Sequence, residues 1–167
     1  MEKFARKIEQ LICQKKTLYE KLQAQFVEEK KHVAQMNIDG LWETTAEKKS
    51  LAMSIDAIRH EITSLFNEQY SGLDMDVADM ALFDIIQRIS LSAEEQTRLN
   101  QTVASIRDLK RHIRVLADEN QRFVSEYLSV IDGIFSTITN AGRKEQYSRN
   151  GMLSKKTETT HLIRAEG

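Results

Sequence analysis

The chain has 167 residues, 41% of them hydrophobic but only 7% aromatic, and its 24 Lys and Arg against 25 Asp and Glu leave a net charge of −1. That balance excludes a whole-chain attraction to nucleic acid or to an anionic membrane, and the aliphatic bias points to one domain with a narrow core. Proline is absent and glycine occurs six times, so little inside the long periodic stretches would break a helix.

Over residues 2 to about 36, Phe4, Ile8, Leu11, Leu18 and Leu22 recur at helical spacing, with Ile12, Tyr19 and Phe26 widening the stripe. Lys15 and Gln25 interrupt it and are expected to carry their polar ends to water. Cys13 has no partner for an internal disulfide and belongs to no CxxC pair, which fits a reducing compartment. The first residues are charged rather than signal-like, and no stretch reaches the roughly 18 apolar residues of a membrane span. A cytoplasmic location without stable membrane insertion is expected.

Asn37-Ile38-Asp39-Gly40 reads as a turn. A second helix is expected from 41 or 42 to 66, carried by Leu41, Leu51, Ile55, Ile58, Ile62 and Leu65, folding back on the first as an antiparallel hairpin. Trp42 is expected to clamp the turn, the alternative being an anchor for a partner. Residues 67–76 read as a loop. A shorter, more apolar helix is expected from 76 or 77 to 90, through Met80, Leu82, Phe83, Ile85, Ile86 and Ile89.

The dominant stretch covers residues 92–142, where Leu99, Val103, Ile106, Leu109, Ile113, Leu116, Phe123, Tyr127, Val130, Ile134 and Ile138 recur in steps of three, four or seven. Ser92 and Glu95 have capping-box spacing, and Gly142 supplies a C-terminal stop. At 1.5 Å per residue this helix is roughly 70 Å long, more than a compact globule of this size needs. Asn120 falls on the apolar seam, where one polar residue fixes register at some cost in stability. Toward the end Ile131, Ile134, Phe135 and Ile138 make a wide apolar surface on which an amphipathic partner helix can dock; the chain's own first helices or a second copy are the alternative cover. Beyond residue 142 the sequence turns polar, with isolated Met152, Leu153, Leu162 and Ile163, and is expected to be mobile in isolation. The expected fold is all-α: an elongated antiparallel helical bundle or coiled coil of three long helices plus one shorter helix over 1–142, with a flexible tail over 143–167.

Catalytic signatures are missing. His60-Glu61 is followed by Ser64 where a zinc protease needs its second His, and His32, His112 and His161 have no Cys or His at ligand spacing, so no metal or other cofactor is expected. No phosphate-cradling glycine loop and no Gly-x-Ser-x-Gly elbow occurs. Neither His60 nor His112 is followed by the Lys-Gly pair usual after a phospho-accepting His. The basic patch Lys110, Arg111 and Arg114 is flanked by Asp108, Asp118 and Glu119 and lacks interleaved aromatics, so it reads as a solvated face and not as a nucleic-acid site.

The order of two long helices, a tight turn, a shorter helix, a third long helix and a polar tail resembles the FlgN-type flagellar export chaperones. The matching residues are Leu18-Tyr19-Glu20-Lys21-Leu22, the turn and helix from Asn37 to Ile62 with Lys48, Leu51, Ile55 and Arg59, and Tyr147-Ser148-Arg149-Asn150-Gly151. The resemblance implies a non-enzymatic chaperone that binds the terminal helices of hook–filament junction proteins and hands them to the flagellar export apparatus. It maps the client-binding face onto Tyr127, Ile131, Ile134, Phe135 and Ile138, and the export-gate contact onto Tyr147. The rival reading is a coiled-coil scaffold or adaptor that self-associates, as a homodimer, without a secreted client.

Overall fold

The structure, a computed structural model, describes residues 2–69, 86–87 and 91–141. They form three long helices and no strand: α1 (Glu2–Ala34), α2 (Ile38–Gln69) and α3 (Ala93–Ala141). Of the expected shorter helix only Ile86 and Gln87 are described; both are helical and Ile86 is fully buried. The rest of that segment, and the boundary expected after residue 142, lie outside the described residues. The chain divides into two compact units, Met1–Ser125 and Glu126–Gly167.

Within the first unit α2 runs antiparallel to α1, with Lys7 Nζ 2.9 Å from Glu61 at one end and Lys48 paired with Glu29 at the other. The third helix runs parallel to α1. Arg98 lies 3.2 Å from Glu9 and Glu119 lies 2.8 Å from Lys30, both pairs separated by 89 residues. The pairs of Lys7, Lys30 and Arg98 are largely exposed and worth about 0–1 kcal/mol each, so they mark the register more than they hold it, whereas Lys48 and Glu29 are mostly covered.

The apolar core gathers where α1 begins, α2 ends and α3 begins. Ile8, Leu11 and Ile12 of α1 meet Ile62 and Phe66 of α2, Leu99, Val103 and Ile106 of α3, and Ile86. Phe4 stands against Phe66 with ring centroids 6.4 Å apart. Full burial of each such side chain contributes about 1.5–3 kcal/mol. The start of α3 is a capping box: Ser92 N–H donates to Glu95 Oε2 (2.9 Å) and Glu95 N–H to Ser92 Oγ (3.3 Å). Hydrogen bonds from Ser92, through its hydroxyl first and its backbone second, hold the Glu95 carboxyl below the usual range.

The hairpin between α1 and α2 differs from its sequence reading. Met36 takes a left-handed φ of 52°, while its N–H bonds Val33 O (3.1 Å) and that of Asn37 bonds His32 O (2.9 Å), which closes α1 as a Schellman motif. Asn37 then caps α2, its Oδ1 accepting from Gly40 N–H at 3.1 Å. Asp39-Gly40 therefore belongs to the first turn of α2. Gly40 is required there by a close approach, since a Cβ would overlap the His32 ring and lie 2.8 Å from Asn37 Nδ2. Trp42 clamps nothing in this turn and is 71% exposed.

Lys15 does not carry its polar end to water. Its residue is 5% exposed, packed within reach of Arg59 and Asp56 of α2 and Lys110 of α3. Burial, followed by the like charges of Lys110 and Arg59, pulls the ammonium from 10.5 down to about 8, against the opposing pull of Asp56. The unfolded chain keeps this proton up to its higher pKa, so stability attributable to Lys15 rises with pH between about 8 and 10.5.

Two predictions follow from these local features. Lys15→Met should raise unfolding free energy by the order of 2 kcal/mol at pH 7, an advantage that shrinks as pH rises from 8 to 10.5 in denaturant titrations. Met36→Gly should stabilise by about 1 kcal/mol by relieving the left-handed conformation, whereas Gly40→Ala should destabilise by a similar amount; thermal unfolding of the two variants reads the opposite signs.

Candidate functional site

At 100° per residue, the face of α3 that carries Leu99, Ile106, Leu109, Ile113, Leu116 and Asn120 also carries Val124, Tyr127, Leu128, Ile131, Ile134, Phe135 and Ile138. Over the first unit this face is covered. Leu99, Val103, Ile106 and Asn120 are buried, and Leu109, Ile113 and Leu116 are half-buried. The cover is α1, joined at the start of α3 by Ile62 and Phe66 of α2 and by Ile86, and the last helical residue of α1, Ala34, falls at the level of Phe123 when the 89-residue offset is applied.

The last buried residue on this face is Asn120, 4% exposed. Its Nδ2 donates to Phe26 O (2.9 Å) and to Glu29 Oε2 (2.8 Å), and Glu29 in turn pairs with Lys48 of α2. The Lys48 ammonium also stands 4.4 Å from the Phe26 ring centroid. Lys30, paired with Glu119, lies 5.7 Å from the Phe123 ring. Polar and cation–π contacts thus join the buried Val33 and Leu51 at this end of the first unit.

In the second unit, described over 126–141, the residues expected to bind a client share one exposed face. Tyr127 is half-buried, and Ile131, Ile134, Phe135 and Ile138 are 42%, 54%, 62% and 63% exposed. Leu128 joins them at 56% exposure; a step-by-step reading in threes and fours missed it, and a full helical projection finds it. Val130, counted on the seam, falls 100° from Ile131 and flanks the stripe. The expected gate contact, Tyr147, lies outside the described residues. The opposite side is small and polar, with Ser129, Gly133 and Thr137, whose Oγ1 donates to Gly133 O at 2.8 Å.

Such a surface can bind, but it assembles no reacting groups. Among the described residues no cluster of His, Cys, Asp or Glu could hold a metal ion. His60 is exposed on α2, its Nε2 3.3 Å from Asp56 Oδ2, and His112 is exposed on α3. No helix among the described residues is long and apolar enough to cross a membrane.

A family model described as FlgN protein matches residues 1–155. The chain belongs to the FlgN family. FlgN proteins are flagellar chaperones whose partners are hook-associated proteins. Neither a curated protein nor a solved structure matches the chain.

Within this FlgN-family chain Gly133 has no structural requirement, since a Cβ there would meet nothing within 4 Å. Gly133→Ala should therefore strengthen the helix by about 0.8–1 kcal/mol, read as slower amide exchange around residue 133 in the unliganded protein.

Proposed function

We propose that the chain is a cytoplasmic flagellar type III export chaperone whose apolar stripe, Tyr127, Ile131, Ile134, Phe135 and Ile138, holds the terminal helices of hook–filament junction proteins. It prevents their premature assembly and delivers them to the export gate, with Tyr147 as the gate contact. The observation that carries this reading is one face of α3 that is buried through Asn120 and stays apolar but exposed through Ile138. Membership of the FlgN family supplies the class of partner.

The mechanism is binding without covalent chemistry. A client segment with apolar residues at i, i+3, i+4 and i+7 folds as a helix against the stripe and removes its own aggregation-prone side chains from water. Ordering of the client offsets about 2–5 kcal/mol of the gross contact energy, which keeps affinity moderate and the client releasable.

Ile134→Asp and Phe135→Asp should each weaken client binding by roughly thirty-fold or more, equivalent to 2 kcal/mol, while circular dichroism stays nearly unchanged. Size-exclusion chromatography with light scattering, with a junction protein intact and lacking its terminal helices, should give a one-to-one complex only with the intact client. Unimpaired binding by both variants overturns the surface. A tight dimer of the chain alone that takes no client replaces the chaperone reading with a scaffold.

A further inference from the structure

Among the described residues Lys15 is the one charged side chain that is buried, on the face of α1 that also carries Leu11, Ile12 and Tyr19. It makes no hydrogen bond or ion pair with another described residue. What surrounds its ammonium is mostly of its own sign, with Arg59 acting on it from α2, Lys110 from α3, and Asp56 of α2 as the opposing carboxylate. Tyr19, one turn along α1, marks the same place. The Lys110 ammonium stands 5.5 Å from its ring centroid, and the charge of Arg59 acts on its hydroxyl. Three cations against one carboxylate leave an excess of two positive charges where the three helices come together. The ion pairs nearest in sequence, Lys16 with Glu20 and Arg111 with Asp108, are closed on themselves and do not offset it. A buried charge without a counter-ion is costly, and a packed apolar side chain would fill this position without that cost.

We infer that Lys15, Arg59 and Lys110 form a binding site for a small inorganic dianion, a tetrahedral oxyanion of the sulfate or phosphate kind. A dianion matches the surplus of charge, whereas chloride or a single carboxylate neutralises only half of it. Arg59 and Lys110 are exposed, so the ion enters from water between their head groups and gives Lys15, beneath them, the partner it lacks. Arg59 has contacts of its own and need not release them, since a guanidinium carries five N–H donors. The site also couples binding to a proton. Without the ion, burial and then the charges of Lys110 and Arg59 hold Lys15 at about 8, so at about pH 8.5 much of it is neutral. A bound dianion favours the ammonium, raises that pKa and draws a proton from solution.

The probe is sodium sulfate, which takes up no proton in this range, added to the weakly buffered full chain at about pH 8.5 with sodium chloride at matched ionic strength as control. Sulfate should raise the pH of the solution saturably at millimolar concentration. Chloride should not, since screening alone gives a gradual response that does not saturate. Lys15→Met, which removes the buried charge and keeps the helices by circular dichroism, should abolish the uptake. Lys110→Gln, an exposed change, should move the midpoint to several-fold higher sulfate. Equal responses to sulfate and chloride, no response to sulfate, or uptake that survives Lys15→Met each overturn the inference. Uptake with phenyl phosphate and none with sulfate assigns the cluster to a phosphate ester and also overturns a site for the inorganic ion.

Discussion

The arrangement of the first unit depends on the hydrogen bonds of Asn120. Its side chain links α3 to α1 by donating to the Phe26 carbonyl and to Glu29, and Glu29 is tied to Lys48 on α2. Among the described residues its own Oδ1 has no partner, so the residue carries a desolvation cost that an apolar side chain would avoid. What the polar contact gives in return is position. A slip of α3 along α1 would strand the amide among apolar side chains, at a cost of about 1–3 kcal/mol, whereas leucine pairs alone tolerate several registers. Fixing α1 against α3 also fixes where the cover ends, because α1 stops at Ala34, level with Phe123.

The two ends of the first unit are consequently built from different materials. At the end formed by the start of α1, Ile8, Leu11, Ile12, Phe66 and Leu99 are essentially withdrawn from water. Toward the hairpin the buried Val33, Leu51 and Ile55 are joined by Lys48 over Phe26, Lys110 over Tyr19 at 5.5 Å, and the buried Lys15. Each of these lysine contacts is worth less than a buried aliphatic pair, and Lys15 acts against folding near neutral pH. Local opening is therefore cheaper on the hairpin side than in the aliphatic core. That gradient leaves the apolar core as a fixed platform.

Helical periodicity made the three long helices legible, and the Ser92–Glu95 spacing located the start of α3 to the residue. Periodicity did not reveal the true start of α2, because Asp-Gly is a turn signal only when no better cap precedes it. Here Asn37 caps and Met36 accepts the left-handed conformation that glycine would normally supply. Lys15 departs from its expected place for a related reason: a long aliphatic stem permits snorkelling but does not require it, and α2 and α3 close over the side chain. The stripe on α3 was legible as apolar, but its exposure was not. Whether an apolar helical stripe is core or surface depends on what packs beside it, which no single sequence window contains.

An exposed stripe of this kind sets bounds on any helix that covers it. Leu128, Ile131, Ile134, Phe135 and Ile138 are each roughly half exposed, so covering them recovers only part of the 1.5–3 kcal/mol that full burial of such a side chain provides. Five such contributions come to several kcal/mol before a disordered partner is ordered and its free motion is lost, and those costs are of similar size. Affinity must then come from the partner's matching apolar face and from length of contact, and it stays within reach of reversal. A reversible interface needs that balance, since a core-like one would hold its partner permanently and a polar one would leave apolar side chains in water.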